Sequence, residues 1–138
     1  WPGHLQTGSV DNQSVLPTVD LIPTFADIAN FKLPADFKAD GESFAALFQQ
    51  RSFHRQRPLF WEWRFPYEGN MFHKEDDWVA GALRSGDWKL LFNESKSRIE
   101  LYNIPLDPGE RTNLTKEEPA RVNKLMMKWN KWKTTLPE

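Results

Sequence analysis

The spacing of hydrophobic residues divides the chain near residue 58 into a helical part and a part dominated by strands. In the first part, apolar residues recur at helical spacing and predict an amphipathic helix over roughly residues 20–30, which Asp20 is expected to cap. A second, short helix is predicted over residues 43–50. The apolar residues of the first helix are Leu21, Ile22, Phe25, Ile28 and Ala29.

Beyond residue 58 the hydrophobic residues alternate with a period of two, as they do in half-buried strands. Residues 59–63 form the first such segment, whose alternation places Trp61 and Trp63 on one face and Glu62 on the other. Consecutive strands joined by short turns usually pair as neighbours, so we expect an antiparallel sheet of about four strands. The other strands are predicted over residues 78–84, 88–93 and 98–104, with a glycine turn at 85–87.

The last segment predicts a long amphipathic helix that covers one face of this sheet. Its start is open, because Thr115 and Glu118 have the spacing of a capping box, whereas Pro119 suits the first turn of a helix that begins later. The fold class is therefore α+β: a small antiparallel sheet of about four strands, packed by a long C-terminal helix and preceded by one or two helices. The apolar stripe is Val122, Leu125, Met126, Trp129 and Trp132, and the opposite face is Arg121, Lys124, Lys128 and Lys131.

Composition narrows the class of protein only a little. The formal net charge of -1 over 138 residues gives no indication of a nucleic-acid partner or of an anionic membrane. No apolar run is long enough to span a bilayer. The absence of cysteine excludes disulfides, thiolate zinc sites and a cysteine nucleophile within this sequence. Trp1 stands where a natural start would have methionine, so we expect the chain to be part of a longer protein.

Familiar catalytic motifs are missing from the sequence, including G-x-S-x-G, the P-loop, the Rossmann fingerprint, H-E-x-x-H and the EF-hand loop. The histidines His4, His54 and His73 are too far apart in sequence to predict a metal site. Adjacent carboxylates at 75–77 are more typical of a solvated turn than of a cation site. Most of the seven tryptophans fit a packed core, although exposed indoles such as Trp61 or Trp63 could stack on a sugar.

Short segments along nearly the whole chain resemble the C-terminal part of the type I sulfatases, the arylsulfatase-like branch of the alkaline phosphatase superfamily. The most specific is the late strand with its turn, where Asp107-Pro108-Gly109 is expected to redirect the chain toward the last helix, with glycine tolerating a positive φ. The family often has a proline near Ala45, which this chain lacks. The matching segments are 1–4 (WPGH), 19–24 (VDLIPT), 27–29 (DIA), 33–34 (LP), 40–44 (DGESF), 84–90 (RSGDWKL), 100–103 (ELYN), 107–110 (DPGE) and 112–114 (TNL).

The resemblance implies a parent enzyme that hydrolyses sulfate esters, and a division of this chain into two parts. Residues 1–57 would be the tail of the catalytic domain, and residues 58–138 a C-terminal subdomain of an alkaline-phosphatase-like α/β fold. Such sulfatases use a formylglycine made in a C/S-x-P-x-R motif beside a calcium site, and no position here matches that motif or those ligands. The chain alone is therefore expected to be inactive, and its partner to be the upstream catalytic core.

Candidate substrate-binding residues lie at the end of the first strand and in the loop after it, because packing explains them least. Arg64 and Lys74 could pair with sulfate or carboxylate groups of a sulfated carbohydrate or aryl sulfate. The full candidate set is Glu62, Arg64, Tyr67, His73 and Lys74.

Two alternatives remain open from the sequence: a stand-alone carbohydrate-binding or interaction module, and part of a phosphoester or phosphonate hydrolase of the same superfamily. The sulfatase hypothesis predicts an apolar patch around the first helix, where the missing core would pack, and the binding-module hypothesis does not. The resemblance is compatible with a secreted, periplasmic or lysosomal location and does not choose among them.

Overall fold

In the computed structural model, residues 1–49, 51–63 and 78–136 are described. The chain forms two compact units, Trp1–Arg57 and Pro58–Glu138. The described residues contain no helix that is both long and apolar enough to cross a membrane.

The described residues of the first unit contain one α-helix, α1 (Leu21–Ile28), which follows a 3-10 turn at Thr18–Asp20. The short helix predicted over 43–50 is a 3-10 helix, Ala45–Gln49. Thr24 ties these elements together, because its hydroxyl donates to the Asp20 carbonyl at 2.6 Å and accepts the backbone N–H of Phe44 at 3.1 Å. A buried polar side chain is thus satisfied on both sides, which is the condition for burying it without a large cost.

The prediction that Asp20 caps α1 through its side chain is wrong. Asp20 occupies the N-cap position, but its carboxylate makes no capping hydrogen bond. Instead it accepts the backbone N–H of Glu42 at 2.9 Å and forms a two-armed ion pair with Arg55, one arm of which measures 3.0 Å between Nη2 and Oδ1. The charged, two-armed contact with an arginine 35 residues away in the sequence stabilises a buried carboxylate more strongly than a hydrogen bond from a local backbone N–H does.

The second unit is built on the predicted sheet, which has four strands: β1 (Leu59–Glu62), β2 (Gly81–Ser85), β3 (Trp88–Phe92) and β4 (Ile99–Asn103). Their order in the sheet is β1-β2-β3-β4, and every pair is antiparallel. This confirms the predicted fold class. Gly86, with φ 59°, is the first central residue of the two-residue β2–β3 turn, a position that favours glycine.

The core lies between one face of the sheet and the C-terminal helix α2 (Pro119–Lys133). Pairing aligns Phe60, Leu83, Leu90 and Leu101 across the four strands on that face. The stripe predicted for the helix supplies the other half of the core, which is confirmed. The buried members are Leu83, Leu90, Phe92, Leu101, Leu125 and Trp129, with Val122, Met126 and Trp132 packed against them.

The helix begins at Pro119, so the later of the two predicted starts is confirmed. Two cations assigned to its outer face instead contact the sheet. The Arg121 guanidinium lies 4.0 Å from the ring centre of Trp88, and Lys128 donates to the Ser85 hydroxyl at 2.8 Å. Both residues flank the stripe, where long side chains cover apolar surface with their stems while keeping the charge in a polar contact.

The corner after β4 is built differently from its prediction. The left-handed residue is Glu110, with φ 53°, and not Gly109. The Asp107 carboxylate accepts the backbone N–H groups of Arg111 and Thr112, both at 2.8 Å. Glu110 also accepts two hydrogen bonds from Lys89 of β3, at 2.7 and 2.9 Å. These contacts fix the backbone conformation, which a non-glycine residue adopts only at some cost.

Candidate functional site

The candidate site lies at the end of the sheet where β1 finishes and β2 begins. Antiparallel pairing sets Glu62 opposite Gly81, and the Trp63 N–H then donates to the Ala80 carbonyl at 2.8 Å. Trp63 and Trp78, the residues that flank segment 64–77, therefore lie at the same end of the sheet. Loops held by a rigid sheet are a common location for binding residues.

A pocket of about 540 Å³ opens at this end of the sheet, next to the loop between β3 and β4. Its volume lies in the range of about 300–1,000 Å³ that is usual for small-molecule sites. Trp63 is 48% exposed, and Trp78 is half-buried. The described residues that line it are Trp63, Trp78, Val79, Ala80, Asn93, Glu94 and Ser95.

The polar wall of the pocket is fixed by the side chain of Asn93. Its Oδ1 accepts the Arg98 N–H at 2.9 Å, and its Nδ2 donates to the Ser97 hydroxyl at 2.9 Å. The Ser97 hydroxyl is also hydrogen-bonded to that of Ser95, at 2.8 Å. Lys96 adopts a φ of 55°, which completes the tight turn. The wall is thus preorganised by short-range hydrogen bonds.

The aromatic wall is held from behind by a chain of contacts along β4. The Arg98 guanidinium lies 3.9 Å from the ring centre of Trp78. Arg98 donates to Glu100 at 2.8 and 3.0 Å, and Glu100 accepts the Tyr102 hydroxyl at 2.7 Å. Burial, together with the hydrogen bond to Glu100 and its charge, raises the pKa of Tyr102 to about 12, so the phenol remains a hydrogen-bond donor even at pH 10.

The structure locates one of the five predicted substrate-binding residues. Glu62 shares a face with Phe60, on the helix side of the sheet, and pairs with Lys133 of α2. It therefore points away from Trp61 and Trp63, as the alternation predicted. The other four, Arg64, Tyr67, His73 and Lys74, lie outside the described residues.

Sequence reasoning missed the lining residues that come from outside the first strand. Trp78 falls within the strand predicted over residues 78–84, and no pattern in the sequence of residues 93–95 predicts a pocket wall. The usable signal was the hairpin pairing, since antiparallel neighbours bring the start of β2 and the end of β3 to the same edge as the end of β1.

The described residues do not suit the metal implied by the sulfatase resemblance. Among residues 1–49, 51–63 and 78–136, no three histidine or acidic side chains converge as cation ligands would.

Residues 1–134 match the family described as N-sulphoglucosamine sulphohydrolase, C-terminal. A sulfatase of Formosa agariphila is 32% identical over 126 residues, which cover 88% of this chain and 22% of that protein. The Delta 4,5-hexuronate-2-O-sulfatase of Bacteroides thetaiotaomicron is 31% identical over 115 residues, covering 81% of this chain and 22% of that enzyme. The chain thus spans about a fifth of the length of these relatives.

Solved structures agree with the sequence match. A 2-O GAG sulfatase superposes with a TM-score of 0.62 at 25% identity, over 83% of this chain and 24% of that one. The fold alone is shared with the phosphonate monoester hydrolase of Agrobacterium radiobacter, at a TM-score of 0.53 and 17% identity over 83% of this chain and 24% of that one. The family match over nearly all of its length shows that this chain belongs to the C-terminal family of the N-sulphoglucosamine sulphohydrolases, and so to the sulfatases.

Proposed function

We propose that the protein carrying this chain hydrolyses sulfate esters of a carbohydrate, and that this chain completes the catalytic domain and forms one wall of its substrate cleft. The observation that carries the proposal is the family match over residues 1–134, together with relatives that are sulfatases. The proposed substrate class is a 2-O-sulfated glycosaminoglycan oligosaccharide, because one relative is named a hexuronate 2-O-sulfatase and one solved neighbour a 2-O GAG sulfatase.

The chemistry itself is assigned to residues outside this chain. Hydrolysis of a sulfate ester needs a nucleophile, a cation that offsets the sulfate charge and an acid for the leaving oxygen. The sequence has no C/S-x-P-x-R motif from which formylglycine could be made. Among the described residues, no three histidine or acidic side chains converge as metal ligands. We therefore propose that both the nucleophile and the calcium site belong to the upstream core.

A patch of exposed apolar side chains supports the proposal that this chain packs against that core. Ile22 and Phe25 on α1 are 57% and 59% exposed, and Phe31 just beyond the helix is 61% exposed. The helix instead buries Thr24 and Ala26. The apolar patch predicted around the first helix is therefore present, and patches of this kind mark interaction surfaces. The hypothesis of a stand-alone binding module does not predict such a patch around the first helix.

The predicted loop residues remain part of the proposal. Arg64, Tyr67, His73 and Lys74 follow Trp63 in the sequence, and Trp63 is one of the residues that line the pocket. We propose that they contact the substrate, with Arg64 and Lys74 facing its acidic groups. Glu62 is proposed to act from the other face by fixing the end of β1 through its pair with Lys133.

The deciding experiment compares sulfate release by the full-length protein and by residues 1–138 alone. We expect the full-length protein to release sulfate from a 2-O-sulfated heparin-derived tetrasaccharide and the isolated chain to release none. Turnover of a phosphonate monoester without any sulfate ester would favour the other hydrolase, whose fold this chain shares. Sulfate release by the isolated chain would contradict the assignment of the chemistry to the upstream core.

A further inference from the structure

We infer that the pocket between Trp63 and Trp78 is a subsite for a pyranose ring of the substrate, which stacks on indole and presents hydroxyl groups, not a sulfate, to the 93–95 wall. This inference rests on the proposed carbohydrate sulfatase function. It assigns to this chain a part in substrate selection that is separate from the chemical step.

The aromatic side of the argument is the placement of the two tryptophans. Trp63 leaves nearly half of its surface open at the pocket edge, although an indole of this size normally gains by burial. Trp78 is held by the guanidinium of Arg98, which is itself fixed by Glu100. Flat, immobilised apolar surfaces suit the C–H face of a sugar ring, because little conformational entropy is lost when the ring stacks.

The polar side of the argument is the chemistry of the facing wall. Within the described residues Glu94 makes no hydrogen bond or ion pair, and it is the one charged residue among those that line the pocket. Its exposed carboxylate can accept hydrogen bonds from sugar hydroxyls and repels a sulfate. The Ser95 hydroxyl adds a further polar group, in a position that its bond to Ser97 fixes.

The strand provides a matched control for these tryptophans. Trp61 is two residues before Trp63, on the same face of β1, and is 38% exposed, yet it does not line the pocket. Replacing it removes an indole of similar exposure from the same strand. A loss of function confined to Trp63 and Trp78 would therefore reflect the pocket and not a general loss of aromatic surface.

The experiment measures kcat/KM of the full-length protein and its W61A, W63A and W78A variants on two substrates. We expect W63A and W78A to lower kcat/KM about three- to tenfold for the 2-O-sulfated heparin tetrasaccharide, the factor typical of one aromatic contact. Turnover of 4-nitrophenyl sulfate, which has no second ring, should stay unchanged and shows that the variants are folded. W63F should recover part of the loss, and W61A should match the wild type on both substrates.

Equal losses on both substrates, or wild-type kcat/KM in W63A and W78A on the tetrasaccharide, would overturn the subsite. A wild-type protein that releases sulfate from neither substrate would instead refute the proposed function. Calorimetry with the fully desulfated tetrasaccharide then decides the subsite by itself. Weaker binding by W63A than by W61A supports it, whereas equal binding by the two variants, or no binding by the wild type, excludes it.

Discussion

Replacing Arg55 with alanine is expected to destabilise the first unit severely, because the buried carboxylate of Asp20 then loses its ion-pair partner. Asp20 has no solvent exposure, and the Arg55 side chain is 8% exposed. The pair joins the start of α1 to a segment 35 residues later. After the substitution the Asp20 carboxylate retains one described partner, the Glu42 N–H at 2.9 Å.

The magnitude follows from the two bonds that are lost. Hydrogen bonds to charged groups contribute about 1.5–3 kcal/mol each, and removal of one member of a buried ion pair typically costs about 3–5 kcal/mol. We therefore expect the free energy of local unfolding to fall by about 3–5 kcal/mol in R55A. Lysine retains the charge without the planar fork, so R55K should lose about half as much.

The assay is hydrogen exchange at the backbone N–H groups of Glu42 and Phe44, measured in the full-length protein. Both groups are hydrogen-bonded within this cluster, to Asp20 and Thr24, so their exchange reports the opening of the first unit. Arg51 is an exposed arginine of the same unit, so R51A is the matched control, with an expected change within about 0.5 kcal/mol. If these two amides exchanged as slowly in R55A as in R51A, the reasoning on the buried pair would be refuted.

Three further predictions concern other parts of the chain. Phe25→Asp should lower the yield of soluble full-length protein through the apolar patch, whereas Met127→Asp, at a 72% exposed site on α2, should leave the yield unchanged. Burial raises the pKa of Tyr102 from 10.0 to about 12, so the contribution of the protonated phenol to stability is present below pH 10 and is lost as the pH rises through 12. Urea titrations at alkaline pH should therefore show a smaller loss of stability in Y102F than in the wild type. In G41A the new Cβ would lie 2.2 Å from the Val19 carbonyl oxygen, which is a clash with backbone, so Tm should fall by several degrees. Gly86→Asn is the control and should not lower Tm in this way, because Gly86 lies in a left-handed turn with open space around it.

Periodicity was sufficient to predict the second unit. The alternation in β1 to β4 and the helical stripe from Val122 to Trp132 agree with each other, because one face of the sheet has to be covered by something apolar. In the first unit the same logic fails. The apolar face of α1 is exposed, while the buried contacts of the first unit include the polar side chains of Asp20, Thr24 and Arg55. A hydrophobic stripe identifies a surface that needs a partner, but the pattern does not say whether that partner lies in the same chain.

Local turn chemistry was predicted only in outline. The sequence Asp107-Pro108-Gly109 indicates a corner, but the positive φ falls on Glu110, where an ion pair with Lys89 of β3 offsets its cost. That pair joins residues 21 positions apart. Residue preferences describe the isolated turn, whereas the strand register decides which side chain can support a strained backbone.

The same reasoning explains why the candidate site was only half predicted. Trp63 follows from the alternation of β1, but the facing wall at 93–95 depends on β3 being the second neighbour along the sheet. Because β2 pairs with both β1 and β3, any sequence that forms this meander brings Trp63, Trp78 and Asn93 to one edge. The sheet thus positions the described residues that line the pocket. Because the sheet holds these residues in place, the variants at Trp63 and Trp78 test the proposed subsite directly.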